Sequence, residues 1–71
     1  MTTIAAEPDL NYMQRRILKL AAYGVSITYS AEILNATVES VRWHRKQILR
    51  KLDATNMANA VALAYEHGIL R

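Results

Sequence analysis

The chain has no cysteine. That excludes a disulfide framework, a thiolate metal site and a cysteine nucleophile. Its two histidines, His44 and His67, are too far apart in sequence to form a metal-ligand cluster. Glycine and proline are scarce, at two and one residues, and there is no low-complexity segment or internal repeat. No apolar run approaches the roughly 20 residues needed to cross a bilayer. The opening MTTIAAEPDL has neither the basic start nor the apolar core of a secretory signal. Paired carboxylates and a glycine-rich phosphate loop are both missing, so nothing supports an enzyme. These absences lead to the expectation of a cytoplasmic, non-enzymatic protein with no metal, no cofactor and no membrane partner.

Seventy-one residues make one domain at most, and a chain this short is only marginally stable on its own. The formal net charge is +3 and the pI about 9.6. The distribution of charge says more than its total. Eight of nine basic residues fall in two clusters, Arg15, Arg16, Lys19 and then Arg42, Arg45, Lys46, Arg50, Lys51. Such concentration suits a polyanion.

No sustained period-two pattern exists, so the chain is read as all-α. After a short tail over 1–9, four helices are expected over about 12–23, 27–34, 38–52 and 56–67, forming a bundle that contains a helix-turn-helix within a domain over 10–71. Asn11 is a good N-cap, and Gln14 completes a capping-box pattern. Ser26 and Thr37 cap the next two helices, and the fourth begins near Thr55 or Asn56. Gly24, Asn35 and Gly68 sit where helices close. The buried stripes are expected at Met13, Ile17, Leu20 and Ala21 in the first helix, at Ala31 and Leu34 in the second, and at Met57, Ala60, Val61 and Ala64 in the fourth. The three residues Asn35, Ala36 and Thr37 make the tight turn of a helix-turn-helix.

The segment TVESVRWHRKQILRKL carries the function. At about 100° per residue, Arg42, Lys46, Arg50, Trp43 and Gln47 share an arc of about 140°. Val38, Val41, Ile48, Leu49 and Leu52 occupy the opposite side. Arg45 falls among these apolar residues, where its stem covers the core edge while its head reaches outward. Arg and Lys bond guanine edges or phosphates, Gln bonds adenine, and an aromatic ring touches a thymine methyl. Thr37 and Ser40 lie at the helix amino end, where hydroxyls and backbone amides favour phosphate. A solvated charged face is the alternative for this cluster, but clean segregation and the lack of any acid between Ser40 and Leu52 favour DNA. Arg15, Arg16 and Lys19 are read as a solvated face before a second DNA contact.

From Leu10 to Ala64 the sequence resembles the LuxR/GerE-type helix-turn-helix domain. Leu10, Leu18, Leu20, Ala22, Gly24, Ser26, Ala31, Leu34, Val41, His44, Ile48, Lys51, Leu52, Asn56 and Ala60 fit its pattern without gaps. The resemblance implies that the third helix is the reading helix and that Arg42, Trp43 and Lys46 face bases. It places Ser40, His44 and Gln47 near the phosphate backbone, to which Ser26, Thr37 and Arg50 are added as phosphate contacts. It also implies a homodimer through the fourth helix, with Met57, Ala58, Val61, Ala62 and Tyr65 as the interface.

Double-stranded DNA is thus the expected partner, in a nucleoid-associated, stand-alone member without the receiver or ligand-sensing domain that usually precedes this module. The family's acidic positions are Gln14 and Arg16 here, and its N-x-E-I is Ile27, Thr28, Tyr29, Ser30. The family's internal polar network is therefore expected to be largely absent. Ile27, Tyr29 and Ile33 add apolar surface to the second helix. They support a second reading, a module binding RNA polymerase, a sigma factor or another regulator through that patch and Trp43.

Overall fold

The structure, a computed structural model, describes residues 9–71. The expected tail over 1–9 lies outside the described residues save for Asp9. Four helices follow in order, α1 (Tyr12–Ala22), α2 (Ile27–Leu34), α3 (Val38–Leu52) and α4 (Met57–Glu66), with no strand among the described residues. α3 packs against each of the other three, and α1 also packs on α4. The helix expected to read DNA is therefore the one that every other element braces.

Each start is built by a side chain. The carboxamide oxygens of Asn11 and Asn56 accept the backbone N–H groups of Gln14 and Asn59 at 2.8 Å. The hydroxyl oxygens of Ser26 and Thr37 accept those of Tyr29 and Ser40 at 3.1 and 3.0 Å. These bonds satisfy N–H groups that the first turn of a helix leaves unpaired. The ends share a different device, a residue with positive φ: Gly24 (77°), Asn35 (54°), Asp53 (53°) and Gly68 (75°). The next residue then donates back into the helix, as in Ala36 N–H to Ala31 O at 2.9 Å and Ala54 N–H to Leu49 O at 2.8 Å. Tyr23 and His67, expected inside their helices, are the C-cap residues, and Asn56 is an N-cap.

The core joins Ile17 and Leu18 of α1, Ala31 of α2, Val41, Ile48 and Leu52 of α3, and Ala60 and Ala64 of α4, closed by Leu10 and Leu70. The α1 stripe differs from the expected one. Gln14, Ile17 and Leu18 are buried, whereas Met13, Leu20 and Ala21 are half-buried. The buried face is centred on a polar residue, which an apolar periodicity cannot register. In α2, Ile27 packs against the core while Tyr29 and Ile33 stay exposed, so the apolar patch is narrower than expected.

Where the departure at Gln14 was expected to leave little of a polar network, a set of polar contacts is in place around it. Gln14 is 1% exposed, and both polar atoms of its side chain have partners. Its Oε1 accepts from Lys51 Nζ at 2.8 Å and from the Asn11 backbone N–H at 3.3 Å, and its Nε2 lies 3.2 Å from His44 Nδ1. Lys51 Nζ also donates to Asp9 O at 2.8 Å. A single amide can hold both sides of this network, because it accepts through its oxygen and donates through its nitrogen. No buried side-chain nitrogen or oxygen among the described residues lacks a partner, as burial of polar groups requires.

A candidate nucleic-acid interface on α3

The outer arc of α3 carries Arg42, Trp43, Lys46 and Arg50, all exposed, with Gln47 half-buried at its margin. Glu39 is the acid on this arc, and it lies in the first turn, where the helix dipole favours negative charge. Trp43 is 56% exposed, so it is not a core residue. Its ring meets that of His44 edge-on, with centroids 5.0 Å apart and planes at 79°. That contact holds a large apolar surface outward between the cations.

The five cations of the cluster divide by role. Arg42, Lys46 and Arg50 point to solvent. Arg45 is half-buried, and desolvation lowers its guanidinium below the usual arginine range; a guanidinium so placed keeps its charge. Lys51 is turned back onto α1 through Gln14 and Asp9. Sequence reasoning placed Lys51 in the cationic cluster and did not foresee that it serves as a tether. Spacing puts residues 14, 17 and 18 on one helical face, but it holds no sign that Lys51, from α3, would meet Gln14 there.

His44 is half-buried, with one ring nitrogen directed into α1. The Gln14 oxygen already accepts from two groups that only donate, Lys51 Nζ and a backbone N–H. The amide nitrogen must then be the donor toward His44, whose Nδ1 accepts. The imidazole proton consequently resides on Nε2.

Ser26 and Thr37 are exposed, and each uses an oxygen lone pair in capping. A hydroxyl keeps its hydrogen as a donor when its oxygen accepts. Ser40 is half-buried one turn into α3. On α4, residues Ala58, Ala62 and Tyr65 are exposed and Met57 and Val61 half-buried. At helical spacing the five share an arc of about 140°. Met57 and Val61 also pack against the core, so that arc joins the interior at one edge.

Among the described residues no group of three or more His, Cys, Asp or Glu can hold a metal ion. No helix there is long and apolar enough to cross a membrane. No curated protein matches the chain significantly. The family model for bacterial regulatory proteins of the luxR family (GerE) matches residues 10–64, spanning all four helices almost to the end of α4. That family is one of DNA-binding transcription regulators and not of enzymes. The chain belongs to the LuxR family of bacterial regulatory proteins.

Proposed function

We propose that this protein is a sequence-specific transcription regulator that binds duplex DNA as a homodimer. The observation that carries the reading is the outward arc of α3, where Arg42, Lys46 and Arg50 flank an exposed Trp43 on a helix braced from behind by α1, α2 and α4. In this reading α3 enters the major groove. Arg42, Trp43 and Lys46 meet base edges, and Arg50 and Gln47 meet phosphates. Ser26, Thr37 and Ser40 add hydroxyl donors to the backbone, and His44 adds the Nε2–H that its bond to Gln14 leaves outward. Helix α2 spans the backbone alongside. The α4 arc of Met57, Ala58, Val61, Ala62 and Tyr65 pairs two copies, so that two α3 helices reach half-sites about one helical turn apart. Selection of bound duplexes from a random pool, followed by a salt titration of the winner, tests the reading. A symmetric consensus whose affinity falls steeply with salt is expected.

A second reading is favoured by one observation, the exposure of Tyr29 (57%) and Ile33 (40%) on α2. With Trp43 they offer apolar surface to RNA polymerase, a sigma factor or another regulator. Absence of duplex binding at low salt supports that reading over the first.

A further inference from the structure

A concave feature lies away from α3. It is an open cleft of about 400 Å³ between the outer face of α1 and the segment Ile69–Arg71, and no α3 residue lines it. Its cations are Arg15, Arg16, Lys19 and Arg71, and none of its lining residues is acidic. Its remaining lining is Tyr12, Ile69 and Leu70. Leu70 is buried and Ile69 half-buried, so they form a floor, while Tyr12 is 76% exposed. The Arg16 guanidinium carbon sits 5.9 Å from the Tyr12 ring centroid, which stacks charge against an aromatic wall. The first turn of α1 has no acid, and Arg15 and Arg16 crowd the helix end where the dipole favours negative charge.

The geometry points to a docking site for an acidic, amphipathic peptide segment of another protein. Charge complementarity selects carboxylates for the four cations. The floor selects an apolar side chain between those carboxylates, and the volume lies in the range of roughly 300–1,000 Å³ usual for ligand seats. A duplex offers phosphates to the cations equally well, but its bases are stacked inside and leave no apolar group for the floor of Ile69 and Leu70. This surface is distinct from the α2 patch and independent of the DNA reading, because its residues and those of α3 do not overlap.

The test is a titration of the isotope-labelled full chain with a synthetic peptide alternating Glu and Leu, beside an all-Glu peptide of equal charge and a random DNA duplex, followed by NMR. The Glu/Leu peptide is expected to move signals of Tyr12, Lys19 and Ile69 and to leave those of Arg42 and Lys46 in place. The double change R15E and R16E should weaken it roughly ten-fold, two exposed ion pairs being reversed, with duplex affinity retained. Lys46→Ala should do the opposite, lowering duplex affinity and sparing the peptide. Equal binding of the all-Glu peptide, displacement of the Glu/Leu peptide by duplex, shifts centred on α3, or no shifts at all would each overturn the assignment.

Discussion

The Nε2 atom of Gln14 stands 3.2 Å from the Nδ1 atom of His44, and the rest of the Gln14 amide is committed to Lys51 and Asn11. The reading helix is thus keyed to α1 by a residue that donates on one side and accepts on the other. Gln14→Glu replaces the donor with an acceptor. A carboxylate facing His44 requires a proton on Nδ1, so the ring nitrogen chemical shifts of His44 should move from the Nε2–H pattern to one with Nδ1 protonated. The fold should be kept, because Lys51 still has its partner. Gln14→Leu is different. It leaves His44 Nδ1 without its partner and Lys51 with Asp9 O alone, and should cost about 1–3 kcal/mol in urea unfolding. Unchanged His44 nitrogen shifts in Gln14→Glu would show that the amide does not set the tautomer.

The exposed cations of α3 should separate by what they touch. Changing Lys46 or Arg42 to Ala is expected to cost about 1–3 kcal/mol on the preferred site and to relax specificity at one base position. Arg50→Ala should weaken all sequences alike and flatten the salt slope by about one unit. Parallel affinity measurements on specific and random duplex at several salt concentrations distinguish the two. If all three variants behave as Arg50→Ala is expected to, α3 contacts only the backbone.

Assembly should respond to small residues on α4. Ala58 and Ala62 are exposed and lie one turn apart, so a carboxylate at either leaves the monomer core intact. Two copies packed along this face cannot accommodate Glu there without burying unpaired charge. Ala62→Glu should shift the sedimentation profile to monomer and drop affinity for a paired site to that of a single half-site. An unaltered dimer would move the interface elsewhere.

Much of this fold was legible because local signals agreed. Asn11, Ser26, Thr37 and Asn56 all stand at helix starts, Gly24, Asn35 and Gly68 stand at helix ends, and the two faces of α3 are separated in the sequence itself. The outward positions of Arg42, Trp43, Lys46 and Arg50 follow from that separation alone. The central polar contact was not legible. A scheme that reads apolar residues as buried and polar ones as exposed puts Gln14 at the surface and lets Lys51 join the DNA-facing cluster. Their true placement depends on three residues from distant parts of the chain meeting, His44 and Lys51 from α3 and Asp9 from the approach to α1, and spacing within one helix carries no record of that meeting.

The closure of α3 also escaped the sequence reading, and it offers a stability prediction. Asp53 ends α3 at φ 53°. Asp tolerates the left-handed region better than most residues but less well than Gly. Its carboxylate also sits at the carboxyl end of a helix, where the dipole disfavours negative charge. Both terms point the same way. Asp53→Asn keeps a residue suited to this backbone and removes the adverse charge, for a gain of about 0.3–1 kcal/mol. Asp53→Gly removes the charge and the side-chain strain together, offset in part by the greater freedom of Gly in the unfolded chain. Both variants should raise the thermal midpoint, and the gain of Asp53→Asn should shrink as salt screens the dipole. A lower midpoint for Asp53→Asn would mean that the carboxylate makes a stabilising contact that outweighs the dipole.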